Sequence, residues 1–249
     1  MICAAVRAIA GLLLLFAALT AHALRPYDGT DAAVAAPGEF ELELGPLGRL
    51  REGDRTFRVA PAVIGNYGFS GERELVVQGQ REVAVDPAPG QPDSSIVENG
   101  VFIKQVLKRG VLQDQPGLSV ATEYGLLLPG IHAQSGTGAS IAGIVSQRTE
   151  SLSLHLNGQF AINRDHEPDL FLGVILEGPY TWVVRPVAEV FGDKASGTAR
   201  TSSGLVGAIW RVSDTLSFDV GIRTAQVGGE SVRELRLGLT WSFELSGKR

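Results

Sequence analysis

A single cysteine, Cys3, occurs among the 249 residues. It lies in a stretch with the marks of a removable export signal. The mature chain is therefore expected to have no disulfide, no thiolate metal ligand and no cysteine nucleophile. Basic tracts are also missing, and the formal charge of −5 argues against a nucleic-acid partner. Histidine is scarce: beyond His22 in the signal there are only His132, His155 and His166, without metal-ligand spacing. Neither a catalytic metal nor another cofactor is expected. The longest apolar run after the signal is 170–176, far short of the roughly 20 residues of a spanning helix. If this chain crosses a membrane, it does so as strands.

What is present begins with residues 1–23. Arg7 is the one charge of the n-region, residues 8–19 form an apolar core, and Ala21-His22-Ala23 offers a cleavage site. Removing this segment takes away Arg7 and moves the formal charge from −5 to −6. The remaining length suits one large β-domain, with no low-complexity linker to divide it. The organisation expected is a signal peptide over 1–23, an N-terminal periplasmic or lumenal segment over 24–37, a barrel over 38–245 and a tail over 246–249.

Period two dominates the mature chain. In the closing segment, 232–245, Leu235, Leu237, Leu239, Trp241, Phe243 and Leu245 share one face, and Glu234, Arg236, Gly238, Thr240, Ser242 and Glu244 the other. A tilted strand crosses a bilayer in about 9–11 residues, and Trp and Phe suit the headgroup boundary. Similar segments are expected at 38–44, 56–67, 73–83, 101–108, 117–128, 139–147, 151–160, 169–177, 181–191, 203–212 and 216–224. With the last, they make twelve, and ten or fourteen are the alternatives. Even strand number places both ends of the barrel on the inner side, with outer loops at 45–55, 86–100, 129–138, 161–168, 192–201 and 225–231. The connection 109–116 is long for an inner turn. The fold expected is all-β, a transmembrane antiparallel up-and-down barrel. A soluble exported β-sandwich is the competing architecture, and the long apolar faces argue against it.

If the Leu and aromatic positions face lipid, alternation sends the polar positions inward. The lumen-lining candidates are Glu39, Glu41, Glu43, Arg58, Glu74, Lys104, Glu123, His155, Arg185, Glu189, Asp219, Arg223, Glu234 and Arg236. Gln78, Gln80, Glu82, Lys108, Asn157 and Gln159 accompany them. Twelve strands lie between the eight whose interior side chains can fill and the 16–18 that leave an open channel, so a narrow or partly plugged lumen is expected. Three carboxylates on one face of one strand repel, and Arg236 on the neighbouring closing strand is the candidate partner for Glu39, Glu41 and Glu43. Equally, such ion pairs could fix barrel shape without serving a solute.

Two other functional classes can be weighed against a channel. Ser153, His155 and Asn157 share a strand face and are residue types of a lipid-acting barrel enzyme, but no oxyanion donor or nucleophile elbow accompanies them. The segment 136–143 is glycine-rich yet lacks the Lys-Ser/Thr of a phosphate loop, and reads as an outer loop entering a strand. A structural or adhesive barrel would work through its outer loops, which are short here.

The order of several short motifs also resembles a known family. Arg25-Pro26, Thr30-Asp31-Ala32 and the run Pro37-Gly38-Glu39-Phe40-Glu41-Leu42-Glu43 open it. Pro61, Asn66-Tyr67-Gly68, Glu74-Leu75, Lys104, Leu128-Pro129-Gly130, Pro186 through Glu189, and Gly238-Leu239-Thr240-Trp241 with Phe243 follow. Together they resemble the outer-membrane transporter family labelled as belonging to the meta-pathway of phenol degradation. The resemblance implies a Gram-negative outer-membrane channel or transporter. Its expected partners are outer-membrane lipid, the barrel-assembly machinery and a small solute, aromatic or otherwise hydrophobic compounds among the possibilities. The chain departs from the pattern in continuing past Phe243 to Arg249.

Overall fold

The computed structural model describes residues 26–52, 55–85, 87, 92–196 and 200–245. The expected signal and C-terminal tail lie outside the described residues. The fold is a closed antiparallel barrel in which each strand pairs with its sequence neighbours and the last closes on the first. Its strands are β1 (Glu39–Glu52), β2 (Arg55–Ser70), β3 (Arg73–Ala84), β4 (Ser94–Lys108), β5 (Ser119–Leu127) and β6 (Gly138–Arg148), followed by β7 (Ser153–Ile162), β8 (Pro168–Glu177), β9 (Val184–Ala195), β10 (Thr201–Arg211), β11 (Leu216–Val227) and β12 (Glu230–Glu244). All twelve expected strands are present.

Polarity is inverted relative to a soluble protein. Leu237 and Trp241 are 47% and 48% exposed, whereas Glu234, Arg236, Thr240 and Ser242 between them are buried. The same reversal runs around the wall: Leu156, Leu172, Val190, Val206 and Ile222 are exposed, and Lys104, His155, Glu189 and Asp219 are buried. Exposed apolar surface on this scale is tolerated only where the surrounding solvent is hydrocarbon, so the barrel is a transmembrane one. Closure removes the sheet edges that lipid could not hydrogen-bond.

Three of the expected outer loops are largely strand. Residues 45–52 continue β1 past an irregularity between Leu44 and Leu47. β4 begins at Ser94, inside the expected loop 86–100, and β11 and β12 run on until only Gly228 and Gly229 separate them. Each segment was too polar or too proline- and glycine-rich to show an apolar face, because above the membrane a strand has none to show. The result is a tall wall: β1, β2, β4 and β12 have 14, 16, 15 and 15 residues, against 10 for β7 and β8.

The long inner connection has a structural reason. Residues Val111–Gln113 form a 3-10 turn. Leu112 packs against Ala32, Ala121 and Ile144, and the Gln113 side-chain amide donates to the Ala32 carbonyl at 2.8 Å. This connection folds back to hold a segment that lies inside the barrel.

Candidate functional site

That segment is the stretch before β1. Residues 26–37 make contact with the inward faces of strands on every side of the lumen, through backbone groups that have no strand partner. The Glu189 carboxylate accepts the N–H groups of Asp28 and Gly29 at 2.9 and 2.8 Å. Asn157 brackets Thr30, accepting its N–H at 3.0 Å and donating to its carbonyl at 2.9 Å. Ser146 Oγ accepts Ala32 N–H at 3.0 Å, and Glu74 accepts Ala35 N–H at 2.6 Å. An extended segment in a lumen has unmet backbone donors, and the wall meets them with inward side chains.

Two charge clusters fix its acidic residues. The Arg236 guanidinium is bidentate to Asp28, at 3.0 and 3.1 Å, donates to the Pro26 carbonyl at 2.7 Å and to Glu234 at 2.9 Å. Arg223 joins this group, 3.5 Å from Asp28 and 3.4 Å from Glu234. Across the lumen, Lys104 Nζ lies 3.6 Å from Asp31 and 3.5 Å from Glu74, and donates to Thr30 Oγ1 at 3.1 Å. Each cation has one carboxylate on the wall and one on the segment.

Apolar contacts seat the segment at two points. Tyr27 is buried with Ile175, Val187, Leu205 and Ile209, while Ala32 packs on Ala121 and Ile144. Small residues are required at the closest approach. A Cβ on Gly29 would come within 3.1 Å of Asn157 and Ile175, and one on Gly68 of β2 would sit 2.1 Å from the Ala36 carbonyl oxygen. A cavity of about 290 Å³ remains between the segment and the wall, lined from β1 through β8 and by Arg236 of β12. Glu41, Glu43, Glu74, Glu98, Glu123, Asp28 and Asp31 line it, against the two cations Lys104 and Arg236.

Thirteen of the fourteen candidates are placed by register and burial on the inward face: Glu39, Glu41, Glu43, Glu74, Lys104, Glu123, His155, Arg185, Glu189, Asp219, Arg223, Glu234 and Arg236. Arg58 is the exception. It pairs with Arg49, which pairs with the lipid-facing Leu235, because a shift between Val59 and Ala62 reverses the alternation. Lys108 is turned outward in the same way by the shift after Val106, which sets it opposite Val120. Alternation counted along a sequence cannot see a bulge.

In place of the expected Glu39, Glu41 and Glu43, the ion-pair partners of Arg236 among the described residues are Asp28 and Glu234. Register puts Gly48 opposite Arg236, and Thr240 and Ser242 opposite Glu43 and Glu41. Those carboxylates are met otherwise: Glu39 accepts Ala36 N–H at 2.9 Å, Ser242 donates to Glu41 at 2.9 Å, and Asn66 donates to Glu43 at 2.8 Å. Sequence reasoning missed Asp28, Asp31, Ser146 and Glu177, of which the first two lie in a segment too short and irregular for periodicity to read.

The set Ser153, His155 and Asn157 does not assemble. Asn157 is committed to Thr30, and the short contact of His155 is to Ser146 on β6, Nδ1 to Oγ 2.8 Å. Ser146 has no exposed surface and already accepts from Ala32. Glu177 lies 4.0 Å from His155 and 3.6 Å from Arg185. The arrangement is a buried polar contact beneath the segment.

No family profile and no curated protein sequence matches the chain. Solved structures do match. A crystal structure of an outer-membrane channel from Pseudomonas putida F1 is similar with a TM-score of 0.59 at 11% identity, over 87% of this chain and 98% of that one. The KdgM porin gives 0.53 at 11% identity, over 82% of this chain and 99% of that one. The KdgM porin in complex with disordered oligogalacturonate gives 0.54 at 12%, with the same coverage. At these identities the likeness is one of fold, and the fold is that of outer-membrane channel barrels.

Proposed function

We propose that this protein is an outer-membrane channel for passive passage of small polar solutes, stopped in the present state by its own residues 26–37. The observation that carries the reading is the lumen itself: a closed transmembrane barrel whose interior is polar and is filled by a segment outside the sheet, not by wall side chains. A barrel needed only as a membrane staple could be filled from the wall, as eight-stranded barrels are. In this reading, lipid surrounds the belt, and the assembly machinery inserts the exported chain.

The lining sets the class of solute. Seven carboxylates face the cavity with two cations, and both cations are held by carboxylates. Such a lining repels anions and concentrates cations in a narrow, low-dielectric passage. A polyanion such as the oligogalacturonate bound to the KdgM porin is a poor fit. The resemblance to the phenol-degradation family adds neutral aromatic compounds to the solutes worth testing, and about 290 Å³ accommodates one ring with its hydroxyls. Reversal potentials across planar bilayers under a salt gradient check the lining directly. Potassium is expected to pass in preference to chloride, and chloride preference would sink the assignment.

A further inference from the structure

The outer face of the wall is apolar over most of its circumference, but it turns basic where β12, β1, β2 and β3 rise above the belt. Arg49, Arg51, Arg58, Arg81 and Arg233 are all exposed there. Register puts them on the outward face. Arg49 stands opposite Leu235 on one side and Arg58 on the other, and Arg51 stands opposite Arg233. Arg81 lies opposite Ile96, between Gln80 and Glu82, which share the inward face with Ala62 and Val59. Since Arg49 is level with the exposed Leu235, the band begins where the apolar belt stops.

Two features mark this band as more than a solvated rim. Arg49 with Arg58 is a like-charge pair directly across adjacent strands, which is unfavourable unless an anion lies between them. Among the described residues, no carboxylate forms an ion pair with Arg49, Arg58, Arg81 or Arg233. Among the described residues, nearby outward positions include Thr56, Val83 and Ser231. The irregularities at Leu44/Leu47 and Val59/Ala62 are what turn Arg49, Arg51 and Arg58 outward.

We propose that this band binds the phosphate groups of lipid headgroups in the leaflet at the end of the barrel opposite the start of β1. A guanidinium meets phosphate through two parallel hydrogen bonds, and paired arginines on neighbouring strands can share one phosphate. The occupant is a lipid, not a free ion, because the band is continuous with the lipid-facing belt. The inference rests on the membrane reading of the barrel, and the experiment separates the two.

The full chain is folded into phosphatidylcholine nanodiscs doped with bisphosphorylated lipid A, or with the same lipid after phosphatase treatment. Lipid retained per barrel is then measured. Insertion into phosphatidylcholine alone tests the membrane reading. The parent is expected to retain the phosphorylated lipid about tenfold more strongly than the dephosphorylated one. Arg49→Gln combined with Arg58→Gln should abolish that preference, each arginine near an anionic surface accounting for roughly fivefold. Equal retention of the two lipids by the parent overturns the proposal whether or not the variant folds. So does equal stabilisation of the parent by inorganic phosphate at the same phosphorus concentration.

Discussion

Deleting residues 27–36 is expected to convert a barrel with rare, brief openings into one with discrete, long-lived conductance steps in planar bilayers. The segment is held by the wall at several points, yet the wall does not depend on it for charge balance. When Asp28 and Asp31 leave, Arg236 retains Glu234 at 2.8 Å and Lys104 retains Glu74 at 3.5 Å. Glu189 and Asn157 lose their backbone partners but gain water, because the emptied lumen hydrates. The deleted protein should therefore still show heat-modifiable migration, and its conductance should exceed that of the full chain several-fold. Comparable step sizes from the two proteins would mean that solutes bypass the segment.

Arg236→Ala is the point substitution expected to do most damage. Its guanidinium touches Pro26, Asp28 and Glu234, and Glu234 is 5% exposed, so truncation removes the short contacts of two carboxylates and leaves them the longer ones to Arg223, 3.4 Å from Glu234 and 3.5 Å from Asp28. Breaking a buried pair by removing one partner costs about 3–5 kcal/mol. The midpoint of the heat-modifiable transition should fall markedly, with a rise in background conductance as the start of the segment detaches. Arg236→Lys should recover part of the loss, since an ammonium keeps the charge but not the bidentate fork. Adding Glu234→Gln to Arg236→Ala should also recover part, because it removes a buried charge that has lost its shortest contact. A midpoint unchanged in Arg236→Ala would show that the cluster bears no weight.

The fold was legible because membrane strands write themselves in period two. The alternation of Leu235 through Leu245 against Glu234 through Glu244 carries both burial and compartment, and the eleven other segments repeat it. Legibility stopped where the membrane stopped. Residues 45–52, 94–100 and 225–231 are strand or tight turn above the belt, where no lipid selects apolar side chains on one face. It failed again at the bulges, which sent Arg58 and Lys108 outward.

The lumen was half legible. The wall carboxylates and cations could be assigned by parity, but their partners could not. Arg236 was matched to Glu39, Glu41 and Glu43 by strand adjacency, and a register offset near Gly45 places it opposite Gly48 instead. The missing term was the occupant. A lumen too wide for wall side chains and too narrow for an open pore needs filling, and Tyr27 to Ala36, mostly small residues with Gly29 against Asn157 and Ile175, has the composition to fill it. That argument joins a strand count to a segment outside the strands.

The central claim is that movement of residues 26–37 controls passage, and a tether tests it most directly. Ala32 N and Ser146 Oγ are 3.0 Å apart, and Cys3, within the expected signal, is the sequence's only cysteine. Ala32→Cys with Ser146→Cys thus gives one defined cross-link. Conductance is measured in bilayers before and after addition of a reductant. The account predicts silence in the oxidised state and channel openings on reduction, whereas identical traces in both states would contradict it.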